Sequence, residues 1–358
     1  IILNNNSNEV KTMLWFLPEF DYVFYAGLYT IFRTIQFLKD VYQIEPSFAF
    51  LTGLNSKEMM NRVCEGFPKF RECKSYSLTG YEDLLPIGRH DASVCTLWTT
   101  AYYSLKFNKV NKKFYFIQDY EPLFYPAGST YAQAEVTYRF GFKGICNTFG
   151  LKNVYENNYG CEAVTLNPSI DTSIFYPNKK RVYKKDVYTL FFYGRPGHSR
   201  NGFEIGVKAL KKLKELMRDN LRIVTAGANY SISDFGLESV VENLGRLKIE
   251  ETGDLYRKCD IGLVMMFTKH PSYLPYELMA CGCPVVSNYN DDTTWFLKDN
   301  ENCLLALPSA THIAETIRDA LENEEIRKSI SENSSNNIVN ENPTWDDSLD
   351  KVAKFIIK

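Results

Sequence analysis

Apolar residues along the chain fall into two alternating patterns. Short unbroken runs predict buried strands, and stretches with a period near 3.6 predict amphipathic helices. Residues 13–18 (Met-Leu-Trp-Phe-Leu-Pro) open with a strand that Pro18 ends. A loop follows, then a helix over 27–38 with apolar positions at 28, 31, 32, 35 and 38. Further strands are predicted over 48–51, 92–98, 113–119, 144–147 and 164–168, with helices through Tyr102 and Leu105 and over 131–140. Residues 171–181 carry Pro177 and the start of a basic run without hydrophobic period, which reads as a linker. The pattern then restarts. A strand over 188–193 leads to a helix over 203–217, with apolar residues at 203, 207, 210, 213 and 217, and to a strand over 221–226. A helix over 253–259, strands over 260–266, 285–287 and 302–307, and a helix over 310–321 complete this half. Residues 333–342 are polar and rich in Asn and Ser, which predicts a loop. Thr344 then caps a last helix with Trp345, Leu349, Val352 and Ile356 on one face. Alternating strands and helices predict two parallel sheets. The expected domains are 1–173 and 174–342, with a helix over 343–358 returning to the first.

Composition narrows the class. A chain of 358 residues, 45% hydrophobic and 23% charged, suits two globular domains. The formal net charge of -2 gives no global basic field for nucleic acid. Nine cysteines are scattered, and no His or Cys spacing completes a metal site, so reduced thiols and a cytoplasmic setting are expected. No signal peptide or run of eighteen apolar residues is present. The chain begins at Ile1, consistent with a piece of a longer protein. The aromatic content of 15% fits aromatic cores, with some tyrosines available to line a sugar or acceptor cleft.

Candidate chemistry concentrates in 270–286, His-Pro-Ser-Tyr-Leu-Pro-Tyr-Glu-Leu-Met-Ala-Cys-Gly-Cys-Pro-Val-Val. A proline-punctuated loop enters a short helix there, and the N–H groups of a loop and a helix start suit an anion. Glu277 lies about one turn inside. In the first half, Gly27 falls in a strand–turn–helix opening of the kind that handles phosphates. Asp119 and Glu121 follow a strand, where parallel sheets place ligand groups. The same two carboxylates could instead cap the next helix.

These stretches together resemble the GT-B glycosyltransferases of retaining family 4, and especially the bacterial rhamnan-synthesis rhamnosyltransferases. Residues 167–177 (Asn-Pro-Ser-Ile-Asp through Phe175 and Pro177) resemble the family's interdomain bridge. Gly194-Arg195 with Arg200 resembles its Gly-Arg…Lys-Gly segment, whose two cations hold the donor diphosphate; Arg200 replaces the lysine. Leu244-Gly245-Arg246-Leu247 resembles the segment whose backbone meets the base, making Arg246 and Leu247 candidates. Glu277 matches the second of two family glutamates, the one that binds the ribose hydroxyls. Lys269 occupies the place of the first, which contacts the donor sugar. Lys269 or His270 is therefore expected to help neutralise the leaving diphosphate, and the N–H groups at Ser272 and Tyr273 to face it. Gly27 matches a phosphate-facing Gly-Gly loop with Ala26 in place of the first glycine. Residues 114–128, including Asp119 and Glu121, most resemble the rhamnan-synthesis subgroup.

The resemblance implies an α/β GT-B fold, two Rossmann-like domains facing each other across a cleft with a C-terminal crossover helix. It also implies transfer of a sugar, rhamnose in that subgroup, from a nucleoside-diphosphate donor to a growing glycan or lipid-linked acceptor. Catalytic roles are expected of Asp119, Glu121, Arg195 and Arg200. Nucleotide-sugar contacts are expected of Gly27, Arg246, Leu247, Lys269, His270, Ser272, Tyr273 and Glu277. No metal or other cofactor and no nucleic acid is expected, and a peripheral contact with the inner face of the membrane is compatible with the acceptor. Alternatives are a non-catalytic nucleotide-sugar-binding subunit, a nucleotide-sugar epimerase and a periplasmic two-domain binding protein.

Overall fold

The computed structural model describes residues 10–167, 169–341 and 344–358. They group into two compact units, Ile1–Pro168 with Pro343–Lys358, and Ser169–Asn342. The division falls a few residues ahead of the expected 173/174 boundary. Asp171 O accepts the N–H groups of Ile174 (3.0 Å) and Phe175 (2.8 Å), turning the chain into the second unit. Phe175 is buried there and stacks on Tyr256. Pro168 of the bridge motif lies outside the described residues.

The first unit runs β1 (Thr12–Pro18), α1 (Ala26–Tyr42), β2 (Glu45–Leu51), α2 (Ser56–Gly66), β3 (Ser75–Leu78) and β4 (Ala92–Cys95). It continues through α3 (Trp98–Lys106), β5 (Lys112–Ile117), α4 (Ser129–Val136), β6 (Lys143–Cys146), α5 (Phe149–Tyr159) and β7 (Ala163–Thr165). Its sheet is parallel throughout, in the order β3-β2-β1-β4-β5-β6-β7. β1 shows why its sequence is an unbroken apolar run. Met13, Trp15 and Leu17 enter one core layer, and Leu14 and Phe16 the layer on the other face. Trp98, expected at the end of a strand, instead opens α3, because β4 stops at Cys95.

The second unit runs β8 (Tyr188–Tyr193), α6 (Phe203–Met217), β9 (Leu221–Ala226), β10 (Glu242–Asn243), α7 (Ile249–Lys258) and β11 (Ile261–Leu263). It ends with α8 (Leu274–Ala280), β12 (Val285–Asn288), β13 (Leu304–Ala306), α9 (Ala310–Glu322) and α10 (Glu324–Glu341). Its parallel sheet has the order β10-β9-β8-β11-β12-β13. β8 is the switch point: the chain builds outward to β9 on one side and later to β11 on the other. After α8, the N–H of Gly282 (φ +66°) bonds Met279 O and that of Cys283 bonds Leu278 O, so the turn requires a left-handed residue.

The polar stretch 333–342, expected as a loop, forms the end of α10 as far as Glu341. Its serines do not break the helix because they pack or bond. Ser331 Oγ donates to Gly282 O at 2.6 Å, Ser334 is fully buried, and Ile330 and Ile338 enter the core. The last element, α11 (Trp345–Ile357), belongs to the first unit. Thr344 Oγ1 accepts the N–H of Asp347 at 3.2 Å and donates to its carboxylate at 2.6 Å. Leu349, Val352, Ala353 and Ile356 are buried in the first unit's core. All nine cysteines are free thiols. Among the described residues no helix is long and apolar enough to cross a membrane.

Candidate functional site

In the second unit the expected residues meet at the carboxyl edge of the sheet. The loop after β8 carries Arg195 and Arg200, and the loop after β11 carries Lys269 through Tyr273. The two loops are joined directly, since Phe267 N–H donates to Arg200 O at 2.8 Å. Asn288 and Asn290, at the end of β12, hold the second loop from below. Asn288 accepts the Met266 N–H (2.8 Å) and donates to Met266 O (3.0 Å), and Asn290 donates to Thr268 O (2.7 Å).

Arg195 lies along the first loop with Nη1 3.3 Å from Tyr193 Oη, and its Nη2 donates to His198 Nε2 at 2.9 Å. Burial and the two arginines hold His198 below its usual range, so the ring stays neutral and able to accept. His270 is buried, and burial together with the nearby Arg200 pushes it down to about 3. It is neutral at any physiological pH, and so cannot supply positive charge to a diphosphate as expected. Its Nδ1 instead accepts the N–H of Ser272 at 2.8 Å. That corrects a second expectation: the Ser272 N–H is committed inside the loop, and Ser272 is held at φ +70°. Lys269 is paired too, with both carboxylate oxygens of Asp292 within 2.8 Å.

The backbone at the start of α8 is what remains for an anion. Glu277 N–H closes the first turn on Tyr273 O at 3.1 Å, which leaves the Leu274 and Tyr276 N–H groups without a carbonyl inside the helix. Glu277 projects from this turn, and burial pushes its carboxyl up to about 8. Burial, and after it the nearness of Glu277 and Tyr193, raises the Tyr256 phenol well above its usual range. A carboxyl poor in donors suits ligand hydroxyls, whose hydrogen bonds would restore its charge. Gly245 (φ +68°) turns the chain, its O accepting the Gly227 N–H at 2.9 Å; Arg246 is exposed, its N–H donating to Asn229 Oδ1 at 3.2 Å, and Leu247 packs against the core.

In the first unit, Gly27 sits in the first turn of α1. Gln118, just beyond β5, donates to Gly27 O at 2.8 Å, and a Cβ at Gly27 would lie 2.3 Å from Gln118 Oε1. The residue preceding α1 provides no side-chain cap, so this turn also presents N–H groups. Asp119 is buried, with Oδ1 accepting the Tyr120 N–H at 2.7 Å. Glu121 is 3% exposed. Its Oε2 accepts the N–H of Trp98 (2.5 Å) and the hydroxyl of Tyr115 (3.0 Å). It thus serves the amino end of α3, where a carboxylate is favoured. The structure thus gives Glu121 Oε2 a helix-capping role, at the preceding helix α3 rather than the next one. Burial, opposed by those hydrogen bonds and aided by Asp119, pushes its carboxyl up to about 8.

Gln118, His198 and Asp292 were not found in the sequence. His198 lies between two arginines already singled out, a signal that could have been read. Gln118 and Asp292 act through residues distant in sequence, and nothing in their spacing marks them. Among the described residues no group of three or more His, Cys, Asp or Glu is arranged to hold a metal ion.

Two Rossmann-like α/β units, each built on a parallel sheet, match the GT-B fold. The neighbours among solved structures share it. HepE of Anabaena in complex with UDP-glucose superposes with a TM-score of 0.73 at 14% identity, over 96% of this chain and 99% of that one. Sucrose-phosphate synthase from Thermosynechococcus elongatus gives 0.69 at 11%, over 96% and 98%. WaaG, a glycosyltransferase involved in lipopolysaccharide biosynthesis, gives 0.65 at 14%, over 96% and 99%. Residues 78–148 match the family described as WsaF, N-terminal domain, and residues 188–318 the family described as WsaF, C-terminal domain. Each unit therefore carries a segment similar to a WsaF domain. The O-antigen biosynthesis protein RfbC of Myxococcus xanthus is 38% identical over 351 residues, 98% of this chain but 27% of RfbC. An uncharacterized glycosyltransferase of Methanocaldococcus jannaschii, MJ1178, is 26% identical over 196 residues, 53% of each chain. The chain spans about a quarter of the first relative and about half of the second.

Proposed function

We propose that this chain is a retaining glycosyltransferase of family 4, acting in the assembly of a surface polysaccharide of the O-antigen kind. It moves a sugar from a nucleoside-diphosphate donor to a growing glycan or lipid-linked acceptor. Rhamnose is the sugar its resemblance to the rhamnan-synthesis enzymes favours. The observation that carries this reading is the convergence of Arg195, Arg200, the α8 amino end and Glu277 at the switch point of one sheet. Similarity to RfbC and to WsaF domains supports the polysaccharide context, and the UDP-glucose bound to HepE supports a nucleotide-sugar donor.

In this reading the diphosphate lies against Arg195, Arg200 and the N–H groups of Leu274 and Tyr276. Positive potential is fixed there before negative charge develops on the leaving group. His198 directs the Arg195 guanidinium while remaining uncharged. Glu277 accepts hydrogen bonds from the ribose hydroxyls, each contributing about 1.5–3 kcal/mol when the carboxylate is ionised. The backbone at Gly245, with Arg246 and Leu247, meets the base. Asp119 serves the acceptor hydroxyl or donor sugar, while Glu121 supports it by holding α3. The acceptor proton passes to the departing diphosphate oxygen, and the protein's own cations take the place of a metal ion.

Calorimetric titration with UDP and with deoxythymidine diphosphate, followed by the matching nucleotide sugars, tests this. Arg195→Ala and Glu277→Ala should each weaken nucleotide binding by at least about tenfold, a loss of about 1.4 kcal/mol. Binding unchanged in both variants would refute the site.

A further inference from the structure

A second charged surface lies in the same unit, built from the segment between Phe175 and β8 and from the end of α7. Residues 176–187 read Tyr-Pro-Asn-Lys-Lys-Arg-Val-Tyr-Lys-Lys-Asp-Val, with five cations and one acid in a chain whose formal net charge is -2. Residues 176–182 and Lys185 of this segment, with Asp254, Arg257 and Lys258 of α7, line a cavity of about 750 Å³; Lys184 and Val187 lie on the segment beside it.

Some of these cations belong to the fold. Arg181 donates to Cys259 O (2.5 Å) and Cys281 O (3.3 Å), binding the ends of α7 and α8. Lys185 pairs with the buried Asp260 at 2.6 Å. Arg257 stands 3.9 Å over the Tyr176 ring and pairs with Asp254. These contacts use up the nearby acids Asp254 and Asp260, leaving Asp186 as the segment's own opposing charge. Lys179, Lys180, Lys184 and Lys258 are exposed and enter no ion pair among the described residues. The same segment exposes apolar side chains that the core does not use, Tyr176 (46%), Val182 (60%) and Val187 (48%).

We propose that this surface docks the protein on an anionic membrane, with the four lysines at the phosphate headgroups and Tyr176, Val182 and Val187 at the headgroup–acyl boundary. Lysines alone would suit any polyanion. Apolar residues interleaved among them, on a segment anchored from behind by Arg181 and Arg257, favour a bilayer, which offers phosphates and hydrocarbon together. Val182 and Val187 gain nothing from an entirely polar polyanion. The inference concerns a different face from the nucleotide site and holds or fails independently of the transfer reaction.

The test is co-sedimentation of the whole chain with vesicles of phosphatidylcholine alone or mixed with phosphatidylglycerol. The chain is expected to bind only the anionic vesicles, less tightly as salt is raised. Lys179→Glu/Lys180→Glu/Lys184→Glu should lose at least about tenfold in vesicle affinity while keeping its melting temperature and nucleotide affinity. Val182→Ser/Val187→Ser should weaken vesicle binding while keeping its salt dependence. Equal binding to both vesicle types, or undiminished binding by the lysine variant, would overturn the proposal. So would competition by heparin or a single-stranded oligonucleotide together with wild-type binding by the valine variant, which would mark a general polyanion surface.

Discussion

Replacing Glu121 with Gln separates a structural carboxyl from a catalytic one. Gln retains an oxygen that can accept the Trp98 N–H and the Tyr115 hydroxyl, so the amino end of α3 stays satisfied. What changes is the titration. The Glu121 carboxyl moves from 4.5 in the open chain to about 8 in the fold. A raised carboxyl binds its proton more tightly when folded. Its stabilisation is therefore complete below the unfolded value and is lost as pH rises from about 4.5 toward 8. A displacement of that size corresponds to at most about 5 kcal/mol. Gln carries no such loss. In urea unfolding followed by tryptophan fluorescence, Glu121→Gln should match the wild type near pH 5 and exceed it by a few kcal/mol near pH 9. Glu277 titrates in the same direction in both proteins and cancels in the difference. The variant should also retain transfer activity, because Glu121 acts on α3. A stability difference independent of pH, or a folded variant without transfer, would refute this assignment.

Gly27→Ala would drive a Cβ into Gln118 and should cost about 1–3 kcal/mol of stability by thermal unfolding, with Gln118→Ala in the same chain recovering most of it. Failure of the second change to rescue the first would mean that Gln118 is not the obstacle. His270 is held down to about 3, so nucleotide affinity should show no His270-dependent limb between pH 5 and pH 8. An acidic limb in the wild type that disappears in His270→Asn would contradict its neutrality.

Elements with a complete hydrophobic signature were legible from end to end. β8, α6 and β9 fall on the residues their patterns mark, because the strands bury a central apolar run and the helix one regular stripe. α2, β3 and α5 were missed for a different reason. α2 buries only Met59, Met60 and Val63, and its start is marked by the Asn55–Glu58 capping box rather than by apolar residues. β3 is short and mostly half-buried. α10 was misread where Ser and Asn, taken for loop residues, supply the small contacts that let the helix approach its neighbours. At the candidate site the motif positions could be read, but their commitments could not. That Ser272 gives its N–H to His270, Lys269 its charge to Asp292 and Glu121 its Oε2 to Trp98 depends on which loops the sheet brings together. Sequence spacing sees the strand ends and not the partners across them.

The second unit is, in effect, an insertion within the first. Four buried apolar residues of α11 complete the first core, and burying Leu349, Val352 and Ile356 contributes about 1.5–3 kcal/mol each, together comparable to the whole stability of a domain. During synthesis the second unit can close on contiguous sequence while the first still awaits α11. Ribosome-bound chains stopped before residue 344 would display an open apolar groove, a natural point for chaperone capture. The order of completion is thus the reverse of the order of translation.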